Sequence, residues 1–120
     1  MKEKLARTWK ELVRAYRNTV EYTPHGVTGD PRRTIARAMA EGATFDDLRQ
    51  AIAVIAHIKE HDGRFGRINR QWLYESLDFG TDDWYLEYGR FMGGVDDIHT
   101  THLDNLATCL RQMPQASFHT

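Results

Sequence analysis

Apolar side chains return every three or four positions along most of the chain, the spacing of an α-helical face. Leu5, Trp9, Leu12, Val13, Tyr16 and Val20 predict a first amphipathic helix over about 3–20. The pattern stops at EYTPHGVTGD (21–30), where Pro24, Gly26 and Gly29 read as a loop. Asp30 is a good N-cap, and Pro31 suits the first helical position, where its missing N–H costs nothing. A second, shorter helix over about 31–41 then turns Ile35, Ala38 and Met39 inward and stops at Gly42.

Thr44-Phe45-Asp46-Asp47 has the spacing of a capping box, with Asp in the place of the usual Glu. It opens the most apolar stretch, a helix over about 45–61. Phe45, Leu48, Ile52 and Ile55 form one stripe and Ala51, Val54 and Ile58 another. A helix apolar on so much of its circumference belongs at the centre of a fold. A loop over 61–67 follows, then a short helix around 69–77 and another around 82–92, with Gly93-Gly94 as a break. Thr101 to Asp104 is a second capping-box candidate, leading into Leu103, Leu106, Leu110 and Met113 and ended by Pro114. The β-branched clusters all lie inside helical periodicity. The fold class expected is therefore all-α: a compact single-domain bundle of five or six helices around the 45–61 helix. The domain spans 1–114, with a frayed tail at 115–120.

Composition narrows the class without naming a function. The chain has 120 residues and 13.9 kDa, which suits one domain. Its single cysteine, Cys109, excludes an intrachain disulfide and a cysteine-based zinc site. At helical spacing with Leu106, Leu110 and Met113, it reads as a small apolar side chain. No apolar run approaches the ~18 residues of a membrane span. The charged N-terminus lacks a signal-peptide core, so the expectation is a cytoplasmic protein with no membrane contact. A start at Met1 in so short a chain fits a complete small reading frame.

Charge changes the picture more. Residues 1–70 carry 14 Lys and Arg against 9 Asp and Glu, a balance of +5; residues 71–120 carry 2 against 8, a balance of −6. Arg7, Lys10, Arg14 and Arg17 share one helix face; Arg32, Arg33 and Arg37 stud the next helix; Arg64, Arg67 and Arg70 recur every third residue beyond. Arginine's planar fork donates two hydrogen bonds to phosphate or carboxylate. These ten residues are the candidate nucleic-acid or anion site. The plainer reading is that the basic and acidic parts attract each other inside one fold. In the back of the chain, acidic Asp78, Asp82, Asp83 and Glu87 alternate with aromatics that include Trp84 and Tyr88, a candidate face for a protein partner.

Other chemistry is thinner. Residues 35–52 place Ala38, Gly42 and Leu48 at characteristic positions of a helix-turn-helix. Glu41, Asp46 and Asp47 oppose that reading, and an ordinary αα-hairpin fits better. His57 and His61 are i, i+4, and His99 and His102 are i, i+3. Whether the four converge is not legible in the sequence. His25, His61-Asp62 and Asp96 or Asp97 follow the scattered order of HD-type metal phosphohydrolases, a remote alternative. The His pairs lack a cysteine partner and a third ligand, so no metal or other cofactor is expected. No nucleophile elbow, P-loop or dinucleotide fingerprint is present, and the paired acids read as helix caps. The chain is expected not to be an enzyme.

Residues 32–76 resemble the C-terminal helical domain of phage replication and primosome-type initiator proteins. The resemblance is carried by Glu41-Gly42-Ala43-Thr44, Asp47-Leu48, Ile52, Ile55 and Trp72-Leu73. It departs in lacking that family's tryptophan ahead of Gly63. It implies contact with DNA and with a helicase loader, not catalysis, and it carries over no site residue. The expected function is a nucleic-acid-associated replication accessory of a phage or mobile element, binding DNA or an acidic protein surface and a host or phage protein. The alternative is a small phage-type inhibitor, like an anti-CRISPR, that covers a host protein's nucleic-acid site. Oligomeric state is not legible.

Overall fold

The computed structural model describes residues 2–60, 94–95 and 97–114. They form α1 (Lys2–Thr19), β1 (Val20–Thr23), β2 (Gly26–Gly29), α2 (Pro31–Ala40), α3 (Phe45–Glu60) and α4 (Thr100–Gln112). The described residues thus hold four helices, not five or six; the helices expected around 69–77 and 82–92 lie outside them. The ring closes pairwise: α1 packs on α2 and α3, and α4 packs on α3 and α2. The two apolar stripes of α3 match its two packed neighbours. Leu12, Tyr16, Ile35, Leu48, Ile55, Ile58, Ile98, Leu103 and Leu106 lie at the centre, all but fully buried.

Local chemistry explains where the elements begin and end. Asp30 Oδ1 accepts the Arg32 N–H at 3.0 Å, capping α2 with Pro31 at its first position. α2 closes in a Schellman motif: Ala43 N–H reaches back to Ala38 O at 3.2 Å and Gly42 N–H to Met39 O at 3.0 Å. That turn needs the positive φ of Gly42, +120°. The 44–47 capping box is formed: Thr44 Oγ1 accepts Asp47 N–H at 3.1 Å, and Asp47 Oδ2 accepts Thr44 N–H at 3.2 Å.

Two local expectations are corrected. Residues 20–29 form an antiparallel hairpin, not a loop, with Val20 opposite Gly29 and Tyr22 opposite Val27. The described residues are therefore mostly helical, as expected, with one small two-stranded sheet added. The strands are four residues each, too short to stand alone. Val20 anchors them in the core and Val27 packs against it, while Thr23 Oγ1 closes the turn by donating to Gly26 O at 3.0 Å. The Thr101–Asp104 capping box does not form either. α4 starts two residues earlier, with His99 at the N-cap and no side-chain cap bond. Its start follows from tertiary contacts, with Val95, Ile98 and Leu103 in the core and His99 N–H donating to Tyr16 Oη at 3.3 Å.

Candidate nucleic-acid interface

α1 and α2 run antiparallel, because Thr19 meets Thr34 at one end and Arg14 meets Glu41 at the other. Leu5, Trp9, Leu12, Val13 and Tyr16 turn inward, so Arg7, Lys10, Arg14 and Arg17 are left on the outward face, all exposed. On α2, burial of Thr34, Ile35 and Ala38 leaves Arg32, Arg33 and Arg37 outward. At 3.6 residues per turn, Arg32 lies about 140° round α2 from Arg37. Arg37 and Glu41 therefore flank α1, and Arg32 points toward α4, where its charge reaches Cys109. The seven positions make one α1 stripe continued by Arg33 and Arg37, with Arg32 turned away.

Part of this charge is spent inside the molecule. Arg14 donates to Glu41 at 2.9 Å, and Arg17 pairs with Asp97 from the acidic end of the chain. Lys4 reaches Asp47 at 3.4 Å. Arg7, Lys10, Arg32, Arg33 and Arg37 form no ion pair with a described residue. Beneath the stripe, Glu11 is buried close to Glu41; burial first, then that neighbouring carboxylate, push its pKa up against the pull of Arg7 and Arg14. Burial also pushes at Asp47, but the Thr44 hydroxyl and N–H and the Lys4 ammonium outweigh it and hold the carboxyl below its ordinary range.

A cleft of about 370 Å³ opens on the same face, lined by Trp9, Lys10, Val13, Arg14, Arg17 and Gly94. A Cβ on Gly94 would stand 1.9 Å from Trp9 Cζ2, so only glycine lets the chain come this close to the indole. Sequence reasoning missed Gly94, whose Gly-Gly setting signalled only a break.

The described histidines do not converge on one site. His25 is exposed at the hairpin tip, His57 is half-buried on α3, and His99 is exposed ahead of α4. His102 points inward instead, edge-on to Tyr16 with centroids 4.6 Å apart and its Nε2 3.5 Å from Thr34 Oγ1. Thr19 Oγ1 donates to Ala15 O at 2.9 Å, and Thr34 Oγ1 lies within hydrogen-bond reach of Thr19 Oγ1 and of Asp30 O. Burial, then His99, depress the His102 pKa. Tyr16 is pushed up to about 12, by burial and by its bond with Tyr22. Among the described residues no three His, Cys, Asp or Glu side chains are placed to hold a metal ion. Asp97, one of the HD-type candidates, is held by Arg17. Cys109 is half-buried, its Sγ 3.4 Å from Met113 Sδ, and burial pushes its thiol pKa up.

Arg64, Arg67, Arg70, His61, Asp62, Asp78, Asp82, Asp83, Trp84, Glu87, Tyr88 and Asp96 lie outside the described residues. No described helix is long and apolar enough to cross a membrane. Comparison of the chain with protein-family models, with curated proteins and with solved structures returns no match.

Proposed function

We propose that this chain is a non-enzymatic nucleic-acid-associated protein, a replication accessory of the phage or mobile-element type, whose α1–α2 face neutralises phosphates. One observation carries the reading. Two adjacent antiparallel helices turn six basic side chains onto this face, Arg32 pointing away from it, and four of the six lack an internal ion-pair partner among the described residues. Five of the six are arginines, whose fork suits phosphate. The resemblance of residues 32–76 to phage initiator domains points the same way. The acidic and aromatic back of the chain is assigned to a protein partner.

The test is a fluorescence-polarisation titration of the full chain with generic labelled DNA. Binding at ~50 mM salt should weaken steeply as salt rises, as several released counterions require. Reversing Arg7 and Lys10 should lower affinity with the fold intact. Absence of binding at ~50 mM salt overturns the reading. It would favour the inhibitor alternative.

A further inference from the structure

We propose that the cleft on α1 takes an unpaired base, so that the preferred ligand of this face is single-stranded nucleic acid rather than duplex; the inference rests on the function proposed above. The cleft combines two chemistries that a phosphate-binding surface alone does not need together. Trp9, Val13 and the Gly94 backbone give it an apolar lining, and Lys10, Arg14 and Arg17 give it cations. Its volume of about 370 Å³ is ample for one heteroaromatic ring.

Two of the cations are held in place. Glu41 pairs with Arg14 and Asp97 pairs with Arg17. A guanidinium so fixed offers a flat face on which a base can stack, while Lys10 stays unpaired among the described residues to meet the adjoining phosphate. In a duplex the base faces are covered by their neighbours, and the apolar part of the cleft would be left unfilled. Every base presents a π-face, so the site is indifferent to sequence.

The experiment compares oligo(dT) of about twelve nucleotides with an abasic strand of equal length and equal phosphate count, on the full chain at ~50 mM salt. Oligo(dT) should bind about tenfold tighter or more, the worth of stacking about one base. The double variant K10A/R14A should bring that ratio toward one. R33A/R37A, an equal loss of charge outside the cleft, should weaken both strands and leave the ratio unchanged. Equal binding of the two strands overturns the base-binding cleft and leaves the phosphate face standing. A ratio that survives K10A/R14A also overturns it, because the base is then read elsewhere. If neither strand binds, the function proposed above fails with it.

Discussion

At His102, Thr34 and Thr19 a chain of polar contacts crosses the junction of α4, α2 and α1, and its one titratable ring is buried. The folded-state pKa of His102 lies below its ordinary 6.5, so the unfolded chain takes up the proton more readily. This group's contribution is complete at neutral pH and is lost as pH falls from 6.5 through the folded value. The urea midpoint should drop between about pH 7.5 and pH 5, and less so in His102→Gln. An equal drop in the variant would assign the acid sensitivity to other groups. Glycines test the geometry differently. Gly42→Ala should cost about 1–2 kcal/mol from its positive φ alone, since only Glu11 Oε1, at 3.7 Å, comes near the added methyl. Gly94→Ala should cost about 1–3 kcal/mol for the opposite reason, because Trp9 has to move.

Among the elements, the interiors and stops of the helices were the most legible. α1, α2 and α3 fall within about a residue of their expected limits, because periodicity, Pro31, Gly42 and the 44–47 box all act locally. Thr44→Ala should cost ~1 kcal/mol by freeing the first turn of α3, readable as a lower thermal midpoint. Ile55 is fully buried in α3, and Ile55→Ala should cost ~2–5 kcal/mol in chemical denaturation. A loss within ~0.5 kcal/mol would place α3 at the edge of the core. The hairpin was not legible as β structure. Strands of four residues offer only two positions per face, and what holds them is the core beneath Val20.

For the whole molecule, the question is how far opposite charge is used within the fold. Arg17 with Asp97 joins the basic front to the acidic back, whereas Arg7 and Lys10 form no ion pair with a described residue. Reversing Lys10 should therefore shift stability by less than ~0.5 kcal/mol, whereas reversing Arg7 also removes a cation that favours the buried Glu11 carboxylate and should cost more. Arg17→Glu should cost up to ~1 kcal/mol, and adding Asp97→Arg should recover it, as measured in a double-mutant cycle. If reversals at Arg7 and Lys10 unfold the protein, the charge asymmetry is structural and the proposed face loses its support.

The sequence by itself determined whatever depends on neighbours along the chain: helical periodicity, the caps at Asp30 and Thr44, the Gly42 stop, and the arginines of α1 opposite its apolar stripe. These follow from backbone geometry within a turn or two. The tertiary structure decided what depends on distance across space. It paired Arg14 with Glu41 and Arg17 with Asp97, and it turned Arg32 away from the stripe. It buried His102 while leaving His99 in solvent. It also set the Gly94 backbone against Trp9, opening a cleft in what the sequence shows only as a basic helix face. Packing selects those partners from residues up to eighty-three positions apart, such as Tyr16 and His99, and no local pattern encodes such a meeting.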